Sequence, residues 1–129
     1  MKKVLILAAA LALFAVACKK SGMSPGIYGK WELRHQSGGW GVDSTYKAGN
    51  GNVYLFARNN TYKKYENSVL IAEGNFSVRQ DNGAHPEASY VICFDNSAYG
   101  DPIGINGTTI TIGTSVADGI ESEYQKVSN

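Results

Sequence analysis

From Gly26 onward, apolar and polar residues alternate with a period of two rather than 3.6. In the first segment Ile27, Gly29, Trp31 and Leu33 fall on one face and Tyr28, Lys30, Glu32 and Arg34 on the other. The same period predicts strands at 52–58 (NVYLFAR), 61–66 (TYKKYE), 69–80 (VLIAEGNFSVRQ) and 88–95 (ASYVICFD), then at 101–105, 108–113 and 120–127. Turn residues separate them. Asn59-Asn60, Asn67-Ser68 and Asn106-Gly107 suit positive φ and therefore tight hairpins. Gly74 interrupts the 69–80 strand, and a bulge or bend is expected there.

Eight short sequential strands and no helical segment predict an all-β fold, an eight-stranded up-and-down antiparallel barrel whose closure removes exposed edges. A two-sheet sandwich is the alternative, but its crossings need longer connections than most of these. One connection is long. Residues 37–51 form a glycine-rich loop carrying Trp40 and Tyr46, and a loop of that length in a small domain is a candidate functional element.

The segment before the barrel has a different pattern. Lys2 and Lys3 precede an apolar run over 4–17, too short to span a bilayer, which ends in AVAC at Cys18. This resembles a bacterial lipoprotein signal, with Ala15 where leucine is preferred. It implies a signal peptide at 1–17, acylation (palmitate among the chains) of Cys18, a tether at 18–25 and a barrel domain at 26–129. Membrane attachment is then expected through the lipid. Lys19 after the cysteine is not an inner-membrane retention signal, which places the anchor in the outer membrane, on its periplasmic face. The formal net charge is +1, and from Gly26 onward eight basic side chains face eleven acidic ones. A near-neutral domain lacks the basic face that nucleic acid requires.

Catalytic and metal-binding patterns are sparse. His35 and His85 stand alone, Glu121 and Glu123 alternate with apolar residues as on a solvated outer face, and no nucleophile elbow or phosphate loop is present. Neither an enzyme, a metal nor a cofactor is expected. With Cys18 acylated, Cys93 has no disulfide partner and reads as a small buried hydrophobe, since no local residue would activate its thiol. Asp43-Ser44-Thr45 resembles a short bacterial O-glycosylation signal.

The order of GKW (29–31), FARNNTY (56–62), EGNF (73–76) and YQKV (124–127) resembles the small lipocalin-like lipoproteins of bacteria. The resemblance implies a calycin-type barrel with Trp31 at its closed floor. Lys126 stands where lipocalins stack an arginine on that tryptophan, and it would make a weaker cation–π contact. It also implies a binding site for a small apolar or aromatic ligand at the open end. The candidate residues are Trp40, Tyr46, Tyr54, Phe56, Tyr62 and Tyr90. In 52–58 either Tyr54 and Phe56 or Val53, Leu55 and Ala57 face inward, and the family pattern favours Phe56. An eight-stranded barrel is just wide enough to be filled by its own side chains or to hold one small ligand. The competing expectation is therefore an envelope interaction module with a filled barrel, docking a protein partner through the Trp40 loop.

Overall fold

Nine strands form in the computed structural model, which describes residues 26–83, 85 and 88–129. They are β1 (Gly29–Gly38), β2 (Val42–Thr45), β3 (Val53–Phe56), β4 (Thr61–Glu66), β5 (Val69–Gln80), β6 (Tyr90–Phe94), β7 (Asp101–Asn106), β8 (Thr109–Gly113) and β9 (Ile120–Val127). Eight of them, β1 and β3 to β9, pair antiparallel in sequence order. The ladder between β1 and β9 closes them into an up-and-down barrel. β2 is the addition to the expected set. It folds back on β1 within the long first connection, pairing Gly38 with Val42 and His35 with Thr45.

Connections alternate between the two ends. The end where the chain enters, called lower here, carries the 57–60 turn, the β5–β6 connection and the 107–108 turn. The upper end carries 39–52, the 67–68 turn, 95–100 and 114–119, the last including a single 3-10 turn at Val116–Asp118. Asn67 and Ser68 both adopt positive φ, as a type I′ hairpin requires. The expected Asn106-Gly107 turn moves by one residue. Asn106 pairs with Thr109, and Gly107 (φ 60°) takes the first central position, where type II′ turns need glycine.

The expected bulge at Gly74 is absent. Gly74 pairs regularly with Tyr62, while the irregularity lies between Lys64 and Tyr65, where β5 carries Ile71 as an extra residue. Gly74 answers a different need: a Cβ there would overlap the Asp95 carboxylate. That carboxylate accepts from the Asn75 N–H (3.2 Å) and from the Tyr62 hydroxyl (2.9 Å).

A second bulge, at Arg34, shapes the first strand. Leu33 faces Tyr124 and His35 faces Glu123, so Arg34 is the extra residue. Because side chains alternate, one inserted residue reverses the phase. Trp31 and Leu33 point inward below the bulge; above it Gln36 takes the inward position and His35 pairs outside with Asp43 (2.7 Å). The interior holds Ile27, Trp31, Leu33, Tyr54, Phe56, Tyr62, Phe76, Val78, Ile92, Ile103, Ile110, Ile112 and Tyr124. This settles the phase of β3 with Tyr54 and Phe56 inward. Trp31 is fully buried; its indole N–H donates to the Ile27 carbonyl (2.7 Å), and Lys126 Nζ lies 5.3 Å from the ring centroid.

On the outer face, Glu32 staples segment 47–52 to β1. Its buried carboxylate accepts from Arg34 and from the Gly49 N–H (2.9 Å), while Asn50 Nδ2 donates to the Leu33 carbonyl (2.8 Å). Burial pushes the Glu32 carboxyl up, but the bonds from Arg34 and the loop amides outweigh it and hold the group below its ordinary range. A depressed folded-state pKa contributes stability above the unfolded value, about 4.3, that is lost as pH falls through the folded value. Glu32→Gln should therefore cost about 1–3 kcal/mol at pH 7, and the gap to wild type should narrow below about pH 4 in denaturant titrations.

Candidate functional site

The interior of the barrel is mostly occupied by aromatic rings. Tyr54 stacks on Phe56 (5.2 Å between centroids) and on Phe94 (5.8 Å), and meets Tyr124 edge-on (5.4 Å). Below them Phe56 packs edge-on against Phe76 (4.9 Å), and Tyr62 lies 4.7 Å from Phe94. Offset and edge contacts of this kind contribute roughly 0.5–1.5 kcal/mol each beyond their buried area. Together they leave little free space in the lower barrel.

The space that remains is at the upper end. A cavity of about 300 Å³ is bounded by Leu33 and Gln36 of β1, Tyr46, Asn52, Val53 and Tyr54, residues 64–67 and Tyr124. Its walls combine ring faces with polar groups. The Tyr46 hydroxyl donates to Gln36 Oε1 (2.8 Å), and Gln36 Nε2 donates to Ser122 Oγ (3.0 Å). Lys64 Nζ sits 3.3 Å from Glu66 and 5.6 Å from the centroid of Tyr54. Gln36 reaches this position only because the Arg34 bulge turned it inward. No pattern local to 33–36 signals that.

The six candidate binding residues separate into distinct places. Tyr46 and Tyr54 line the upper cavity. Phe56 and Tyr62 lie beneath it in the packed core. Tyr90 is half-buried beside a different groove, of about 310 Å³, lined by Pro102, Thr111 and Glu121 among others. Trp40, at the tip between β1 and β2, is 96% exposed and does not line the cavity. The residues missed from sequence were Gln36, Lys64, Glu66 and Tyr124. Alternation within 120–127 carried a signal for Tyr124, inward with Ser122 while Glu121 and Glu123 face out.

Cys93 is buried, and its neighbour comes from another strand: Arg79 Nε donates to the sulfur at 3.4 Å and Arg79 Nη2 to the Ala98 carbonyl at 2.9 Å. His35 and His85 each pair with a single aspartate, Asp43 and Asp81. Among the described residues no three His, Cys, Asp or Glu side chains converge as a metal site would require. Cys18 and the 1–25 segment lie outside the described residues. Compared with known proteins, the chain matches no family model, no curated protein sequence and no solved structure.

Burial raises the hydroxyls of Tyr54, Tyr62 and Tyr124. Tyr54 is pushed up by desolvation and by neighbouring Tyr124 and Tyr62, Tyr62 by desolvation and its bond to Asp95, and Tyr124 by desolvation to about 12. A raised folded-state pKa means stability is fully present below the unfolded value near 10 and is lost as pH rises through the folded one. Stability should fall between about pH 10 and 12, and Tyr124→Phe should remove on the order of 2–3 kcal/mol of that loss, measured by denaturant midpoints across the range.

Proposed function

We propose that this chain is a lipid-anchored lipoprotein of the bacterial cell envelope whose lipocalin-like barrel binds, without catalysis, a small aromatic molecule at its open end. The observation that carries the reading is the upper cavity. It is bounded by core residues Leu33, Tyr54 and Tyr124 together with Tyr46, at the end of the barrel that the ring cluster leaves unfilled. A planar ring would find stacking partners there, and Gln36, Lys64 and Glu66 favour a ligand that also carries a hydrogen-bonding substituent. At about 300 Å³ the cavity suits a one- or two-ring molecule rather than a long acyl chain.

The anchor rests on the charged and apolar leader and on Cys18, with the outer membrane, periplasmic side, as its place. The described chain starts at the lower end, near Lys30, Arg58 and Lys126, so a tether of eight residues (18–25) would hold this end within ~30 Å of the membrane and point the cavity away. A second reading, an envelope interaction module, is favoured by Trp40: this side chain stands in solvent instead of entering the barrel.

Titration with phenol, indole and benzoate, followed by amide chemical shifts, should move Gln36, Tyr46, Lys64 and Tyr124 together. Lys64→Met should then weaken the best binder about tenfold with the melting temperature unchanged. If none of the three shifts these residues, the cavity reading fails. For the anchor, Cys18→Ser should abolish incorporation of labelled palmitate in a bacterial host and release the protein from the membrane fraction; retained label would place the lipid elsewhere.

A further inference from the structure

Every large apolar side chain left exposed among the described residues belongs to the upper end. Trp40 and Val42 are in the first connection, residues 69–71 follow the second, Tyr99 is in the third, and Val116 and Ile120 flank the fourth. The described residues of the lower connections contribute none. The longest uninterrupted stretch of this apolar crown is Val69, Leu70 and Ile71, and it has a second property: one of its edges is open. β5 is twelve residues long, yet it pairs with β6 only from Phe76 to Gln80. Asp95 caps the ladder at Asn75, its N–H donating to the Asn75 carbonyl at 2.8 Å. Above that point residues 69–73 have β4 on one side and, among the described residues, no strand on the other.

Barrel closure normally removes such edges, and an exposed apolar one is a template for pairing. We propose that residues 69–73 of β5 dock an extended segment of another polypeptide, added as a strand and carrying basic residues alternating with apolar ones. Three observations select this occupant. Open backbone N–H and C=O groups cannot be satisfied by lipid hydrocarbon, whereas an incoming strand bonds them. The upper end carries Asp43, Glu66, Asp95, Asp101, Asp118 and Glu121 against Lys47, Lys64 and the Arg79 guanidinium that reaches Ala98, with Glu73 of the segment itself facing Lys63, so a net acidic surface attracts a basic segment and disfavours an anionic bilayer. A second copy pairing antiparallel through the same edge would turn the two barrels end for end and set their tethers on opposite sides. The proposed Cys18 anchors, both in one membrane, oppose that arrangement. The inference rests on the interaction-module reading and on the proposed anchor, and narrows the former to one edge and one chemistry.

The test uses full-length protein purified from membranes in mild detergent, titrated with a ten-residue peptide of alternating valine and lysine. Calorimetric binding is expected, together with at least tenfold slower amide exchange across residues 69–73. The valine–glutamate counterpart should bind at least tenfold more weakly. Ile71→Lys, at an exposed position, should lose at least tenfold in affinity while the melting temperature holds, and Trp40→Ala should bind like wild type. Loss on Trp40→Ala with binding kept by Ile71→Lys would overturn the β5 edge yet leave an interaction surface at the crown. No peptide binding would overturn the proposal. So would protection of 69–73 in phosphatidylcholine–phosphatidylglycerol nanodiscs without peptide, or a dimer in sedimentation that Ile71→Lys dissolves; either of these replaces the polypeptide partner with lipid or with a second copy.

Discussion

The ladder between β1 and β9 is the contact on which the rest of the molecule depends. It joins the first strand to the last across nearly a hundred residues, running from Lys30–Val127 to Gly38–Ile120. Such a contact carries a large loop-closure cost, offset here by what closure buries: Trp31 at the floor, Leu33 opposite Tyr124, and the ring cluster that Tyr124 shares with Tyr54. An open sheet would leave these rings half solvated. β1 can close the barrel and still serve the site because its other edge is divided, the lower half going to β3 and the upper half to β2.

A single residue then separates floor from mouth. Arg34, the bulged position of β1, belongs to neither inward set, and the strand changes phase around it. Below it indole and aliphatic side chains seal a dry core; above it Gln36 enters and ties Tyr46 to Ser122. Arg34 is also held from outside by Glu32, the same carboxylate that fastens the 47–52 segment. The bulge and the 47–52 segment thus share one carboxylate, and the Arg34 carbonyl in turn accepts from the Tyr46 N–H at the cavity rim (2.8 Å).

Much of the fold was legible along the chain. The period of two, the Asn-rich turns and the absence of a helical stretch lead to eight short antiparallel strands, and closure follows from the cost of open edges. Trp31 and Lys126 meet as their positions at the start of β1 and the end of β9 suggest. Other features had no local signature. Gly74 looked like a bend, but its hydrogen side chain makes room for Asp95, twenty-one residues away. Cys93 seemed to lack a cationic neighbour until β5 brought Arg79 against it. Trp40, the most conspicuous residue of the long loop, is lifted away from the interior by β2, a four-residue strand too polar to stand out as one.

Apart from β2 and the one-residue shift of the 107–108 turn, local sequence alone determined which residues extend, where the chain turns and which rings share a face, because alternation and positive φ act within a few residues. Tertiary structure decided what those faces meet. The phase change at Arg34, the convergence of Gln36, Tyr54, Lys64 and Tyr124 on one cavity and the unpaired upper edge of β5 all depend on strand lengths and registers. Those are set only when distant strands pair, since one residue of slip or bulge reverses every side chain beyond it.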